Sequence, residues 1–285
     1  MKSVMPLDYV YYGDYDPDSG AEVDLEDQFR DWLGTIDLML KFVRTEMPEI
    51  ADSLLEKIIG KYEAELRDES YVLTDIGLDR LLRDPSVLGS YESLKELGLK
   101  LIMKYIPFRE EYFLSNELEP IKWFDYCRAK YLLLYHGITS LVEILGRDDG
   151  IQFFKDFVEY RGKELGKQGP RRVPFKDSRQ AWVKGWASGG MEFGVVDFDE
   201  HMYLCKFDKC VSHESMKHVD DQELAYYAVC YSAPRLQTYV LENVRLRRSV
   251  TLFTGEFCDE LRWDPSVHDE PEQPSHEFSR KIVPK

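Results

Sequence analysis

Three short stretches gather the residue types that do chemistry. In C-K-F-D-K-C-V-S-H-E, residues 205 to 214, Cys205, Cys210, His213 and Glu214 fall close together. Thiolate and imidazole ligands suit zinc or iron, but Cys205-x4-Cys210 is at the edge of common zinc spacing, and no C-x2-C or H-x3-H pair accompanies it. If Cys205 lies on a strand and Cys210 in the turn after it, the two converge on a metal. Otherwise they are small apolar packers and His213 belongs to a surface loop. In E-L-A-Y-Y-A-V-C-Y, residues 223 to 231, Glu223 and Cys230 sit two turns apart on one helix face. Glu223 either orients a site that Cys230 borders or complements the positive end of the helix dipole.

The third stretch, V-T-L-F-T-G-E-F-C-D over 250 to 259, places a thiol beside a carboxylate shortly after Gly255. Alternation sends Cys258 and Asp259 to opposite faces of a regular strand, and a bulge near Gly255 would re-aim one of them. Arg245, Arg247 and Arg248, on the strand expected to pair with it, would lower the thiol pKa. Arg248 shares a face with apolar Leu246, so it is the arginine expected to point inward, where two parallel hydrogen bonds would clamp a substrate carboxylate. His136, within an apolar helical run, reads as a hydrogen-bonded core histidine. No Walker loop, dinucleotide fingerprint, G-x-S-x-G or H-E-x-x-H is present, and Gly189-Gly190 suits a turn.

The elements that must position these groups follow from periodicity. Helical stripes run over 25–47 (Phe29, Trp32, Leu33, Ile36, Leu40, Val43), from Ala51 to Tyr62, and over 91–105, closed by Pro107. Residues 68–91 read as short helical pieces. The longest apolar helix spans 122–145, and Asp148-Asp149-Gly150 is expected to separate it from a helix over 151–165. The Gly/Pro connector 166–175 marks the boundary between a helical region, 24–168, and an α+β region, 176–264. The second region starts with a short helix over 178–186. A hairpin turning at Asp199-Glu200 follows, then helix over 221–241 with a break or a second helix start at Pro234, then a second hairpin, 244–253 with 257–263. Residues 1–23 read as a flexible arm and 265–285 as a polar, mobile tail. The expected fold class is α+β: a helical N-terminal part, with a small antiparallel sheet plus helix at the C-terminal end.

The chain of 285 residues is 44% hydrophobic, enough for a sizeable core. Its 53 acidic residues against 37 basic ones give −16, which argues against nucleic acid as a partner. No apolar run is long enough to span a membrane and the N-terminus lacks a signal-peptide core, so a cytoplasmic protein without a membrane partner is expected. Five cysteines without an export signal are expected to be reduced.

Cys205, the helix from Glu223-Leu224 to Cys230, and R-R-S-V-T-L-F-T-G-E-F-C-D, with Arg248, Thr251, Gly255, Cys258 and Asp259, occur in an order that resembles the L-2-amino-thiazoline-4-carboxylic acid hydrolase family. The resemblance covers about residues 150 to 263. It departs from the family where Glu260 and Leu261 replace the Phe that follows Cys-Asp. It implies hydrolytic opening of a small carboxylated cyclic amidine. Cys258 or Cys230 would be the nucleophile or a metal ligand, Asp259 or Glu223 the proton carrier, and Arg248 with Thr251 the substrate contacts. The cofactor is open, zinc or iron held by Cys205, Cys210 and His213 being one option; the partner is a small-molecule substrate, and a homo-oligomer is compatible. The competing reading is a non-enzymatic small-molecule or metal-sensing module built on the same cysteines.

Overall fold

The computed structural model describes residues 8–67, 88–106, 119–167 and 169–284. The chain is α+β and divides into two compact units, residues 20–161 with 215–229, and residues 1–19 with 162–214 and 230–285.

The first unit is helical. Helix α1 (Leu25–Glu46) starts at Asp24, whose side chain accepts from the N–H of Asp27, and it buries the Phe29, Trp32, Ile36, Leu40 and Val43 stripe. Pro48 opens a 3-10 turn that leads into α2 (Ala51–Leu66). α3 covers Glu92–Tyr105; the closing Pro107 and most of the pieces expected over 68–91 lie outside the described residues. α4 (Trp123–Leu145) is buried over the continuous run Leu132 to Ile138, the mark of a central helix. Gly146, with φ of 88°, caps it in a conformation that side chains avoid. α5 (Arg147–Gly166) begins at once, so Asp148 and Asp149 do not separate two helices but occupy the first turn of the second, where carboxylates favour the dipole. His136 is buried, with Nε2 3.5 Å from Glu65 Oε1. Two strands, β2 (Gly20–Val23) and β3 (Glu119–Lys122), pair antiparallel, and α8 (Gln222–Tyr226) belongs to this unit.

The second unit is built on a five-stranded antiparallel sheet in the order β1-β4-β5-β7-β6. β4 (Met191–Asp199) and β5 (Met202–Cys210) form the hairpin that turns at Asp199-Glu200. β7 (Cys258–Trp263) lies inside the sheet between β5 and β6 (Arg245–Arg247), and all six of its residues are buried. α6 (Phe175–Trp186) starts three residues earlier than the pattern suggested and lays Phe175, Val183 and Trp186 against the sheet. The unit boundary falls at Gly162, inside α5 and ahead of the 166–175 connector. There Gly162 leaves room for the Tyr239 ring, which a Cβ would meet at 2.3 Å.

Both chain-end expectations are corrected. Within the supposed arm, β1 (Val10–Tyr12) is an edge strand paired with β4, and β2 pairs in the helical unit. Within the supposed mobile tail, α10 (His276–Arg280) is capped by Ser275. Ile282 is fully buried in the groove left by Gly194, where a Cβ would lie 2.2 Å from its methyl. Composition hid both, because each segment gains its order from the sheet rather than from its own periodicity.

Candidate functional site

β7 delivers a row of polar groups to one face of the sheet. Its register pairs Cys258 with Phe207, Glu260 with Cys205 and Arg262 with Tyr203, so Cys258, Glu260 and Arg262 project to the side covered by α6. Glu260 is fully buried between two cations. Arg248 donates from Nε and Nη2 to Glu260 Oε2 at 2.9 and 2.5 Å, and Arg262 Nε donates to Oε1 at 2.6 Å. Burial alone would raise the Glu260 pKa; Arg262 and Arg248 outweigh it and leave the carboxyl below the ordinary range. Burial likewise disfavours the Arg248 cation, yet Glu260 holds its pKa above the usual guanidinium value.

Three thiols come to Arg248 from three elements. A π-helical turn, Tyr227–Tyr231, carries Cys230 into α9 (Ser232–Val240). Of the break or second helix start expected at Pro234, the structure has the helix start, with Pro234 as the third residue of α9. Pro234 has no N–H to offer the carbonyl four residues back, that of Cys230, and Arg248 Nη1 donates to that carbonyl at 2.9 Å. Cys258 is the first residue of β7. Cys210 ends β5 because of a bulge: Glu192 pairs with Lys209 but Phe193 pairs with Phe207, so Asp208 is an extra residue and Cys210 returns to the Phe207 face. Its sulfur receives the Ser212 and His213 backbone N–H groups at the start of α7 (Val211–Met216). Arg248 acts electrostatically on all three thiols. Burial nevertheless dominates. It pushes Cys258 well up, raises Cys210, and takes Cys230 to about 12, so the thiols are neutral in the resting protein.

The remaining sequence candidates do not join this centre. Cys205 is on the same face but about five residues up the strand from Cys210, roughly 15 Å at the rise of a β-strand. Among the described residues no group of three or more His, Cys, Asp or Glu side chains could hold a metal ion, so Cys205, Cys210 and His213 do not form the expected ligand set. His213 lies edge-on to the Phe253 ring instead, 4.7 Å between centroids. Glu223 is exposed, in the helical unit, and bonded to Arg147. Asp259 points to the opposite face from Cys258, where it accepts from the Ser249 and Val250 N–H groups at 2.7 and 2.9 Å, from Ser249 Oγ, and from Gln273 Nε2. Those two N–H groups are thereby lost to the ladder, which is why β6 ends at Arg247 rather than running to Phe253. Thr251 is buried in the turn that follows, its carbonyl accepting from the Thr254 and Gly255 N–H groups. Arg248 does face inward, but each of its three nitrogens already donates, to Glu260 or to the Cys230 carbonyl, so it presents no free edge as a clamp.

Two residues that carry the centre, Glu260 and Arg262, were missed. Their signal was present in C-D-E-L-R-W: they alternate with Cys258, so a strand that buries Cys258 buries both charges. Arg262 stands under two indoles, its Cζ 4.1 Å from the Trp182 ring centroid and 5.1 Å from that of Trp186. One turn before Trp182 on α6, Arg179 makes a two-pronged bond to Asp197 at 2.6 Å and lines a cleft of about 860 Å³. Its wall carries both signs of charge, with Arg172 and Lys176 on one hand and Asp199, Glu200 and Asp264 on the other. Among the described residues no helix is long and apolar enough to cross a membrane. Compared with family models, curated proteins and solved structures, the chain matches none.

Proposed function

We propose that the chain is a hydrolase that opens a small carboxylated cyclic amidine of the 2-aminothiazoline-carboxylate kind at the thiol-lined arginine centre of the sheet unit. The observation that carries this reading is the convergence of Cys210, Cys230 and Cys258 on the buried Arg248–Glu260 pair, with Cys230 presented by a π-turn. Held neutral, the thiols suit hydrogen bonding to ring nitrogen and sulfur better than attack, so water is the nucleophile. Water adds at the carbon between the two heteroatoms. Cleavage of the carbon–sulfur bond then releases a free thiol on an N-carbamoyl amino acid; cleavage of the ring carbon–nitrogen bond releases a free amine on an S-carbamoyl one. Either product is the substrate plus one water.

The test is mass-spectrometric detection of the hydrated product from 2-aminothiazoline-4-carboxylate, with thiol and amine titration to tell which bond breaks. Cys258→Ala is expected to lower turnover by about 10²-fold or more, the scale of a lost proton-transfer group. Absence of product from the folded protein, or turnover indifferent to Cys258→Ala, Cys230→Ala and Cys210→Ala alike, overturns the reading. The metal-sensing alternative has no ligand group among the described residues to support it.

A further inference from the structure

The arginine with an open hydrogen-bonding position is not Arg248. Arg262 is 1% exposed, gives Nε to Glu260, and its Nη1 is buried without a hydrogen-bond partner. A buried guanidinium nitrogen in that state costs free energy that a ligand acceptor recovers. Charge points the same way. Arg248 and Arg262 both bond the single carboxylate of Glu260, and the thiols beside Arg248 are neutral, which leaves this buried cluster one positive charge in excess. A monoanion balances it; a dianion or a cation does not.

The surroundings define the shape of that anion. The Arg262 guanidinium lies over the Trp182 and Trp186 rings and has Tyr203 as its cross-strand neighbour, so its surroundings are flat aromatic surfaces. Trp182 is 38% exposed, so of the two indoles over Arg262 this one reaches the surface. The cleft at the start of α6 is close by on the same face: Arg179 lines it, the Arg179 Cζ stands 5.6 Å from the Tyr203 ring, and Tyr203 is the cross-strand register partner of Arg262.

We propose that Arg262 is the carboxylate receptor for a small planar monoanion, entered from the α6 cleft and covered by Trp182. The site goes beyond the hydrolase reading, because it requires a carboxylate and a flat body but no reaction. Within that reading it moves the substrate clamp from Arg248, whose bonds are spent, to Arg262.

The probe is thiazole-4-carboxylate, with thiazole as the ligand lacking charge, at constant ionic strength. Tryptophan fluorescence and thermal denaturation are followed as each is added. The carboxylate is expected to give a saturable change and a rise in melting temperature, and thiazole neither. Arg262→Lys keeps the charge but loses the fork, and is expected to weaken binding at least about tenfold. If that variant does not fold, Trp182→Ala leaves the Arg262–Glu260 bond in place and is expected to weaken binding several-fold by calorimetry. No saturable response in the wild type, equal responses to the two probes, or unchanged affinity in the folded variants overturns the proposal. Binding without turnover of 2-aminothiazoline-4-carboxylate upholds this site and removes the hydrolase; turnover with a KM unaffected by Arg262→Lys removes this site and keeps the hydrolase.

Discussion

The two faces of β7 bury carboxylates side by side in sequence and use them oppositely. On one face Asp259 takes hydrogen bonds from Ser249, Val250 and Gln273, a local set that ends one strand and pins the turn after it. Leu261 and Trp263 beside it pack with Ile282 as ordinary core. On the other face Glu260 has two guanidinium groups and no backbone donor, with thiols and indoles around them. Burial is equal, 0% exposure for each carboxylate, so burial does not separate structural from functional candidates. What separates them is the kind of partner: Asp259 is held by neutral donors, whereas Glu260 is shared by two cations.

The largest effect that tests this contrast is Glu260→Gln. Removing the shared anion strands two buried arginines, and urea denaturation is expected to show a loss of about 3–5 kcal/mol. Asp259→Asn keeps shape and part of the acceptor set, with an expected loss of about 1–3 kcal/mol. If the two losses are equal, the distinction between the faces fails. Next in size is acid sensitivity. The Glu260 pKa is depressed on folding, so its contribution is present above the unfolded value, about 4.3, and is lost as pH falls through the folded one. The stability difference between wild type and Glu260→Gln should therefore shrink below about pH 4.3.

The smallest difference is that of a single thiol at the alkaline end. The Cys210, Cys230 and Cys258 pKa values are raised, so their contribution is present below the unfolded thiol value, about 8.5, and is lost as pH rises, because only the unfolded chain ionises there. Stability measured at increasing pH should decline from that point by at most about 1.4 kcal/mol per pH unit for each thiol, and more shallowly in Cys230→Ala.

Much of this was legible in the sequence where one element satisfies itself. The helical stripes of α1, α2 and α4 and the β4–β5 hairpin each announce their own buried face. Arg248, Cys230 and Cys258 were read as one set, but together with Cys205, Glu223, Asp259 and Thr251, which the fold sends elsewhere. What alternation could not show was the bulge at Asp208 that turns Cys210 back toward Arg248, since an extra residue in a ladder depends on the partner strand. Glu260 and Arg262 were passed over for a related reason: charges in a short strand read as solvent-facing unless each is known to meet the other.

The seat of Ile282 on Gly194, together with the Tyr9 hydroxyl's bond to the Val283 carbonyl at 2.9 Å, has a consequence for the order of assembly. Residues 9–12 and 278–283 complete one sheet face from positions about 270 apart. During synthesis the edge strand emerges early and must wait, while residues 20–161 of the helical unit have already left the ribosome. The sheet unit, with its long loop closures, is thus the slow-folding half, and the Leu261–Trp263 face of its sheet is covered only after residues 278–283 have been made.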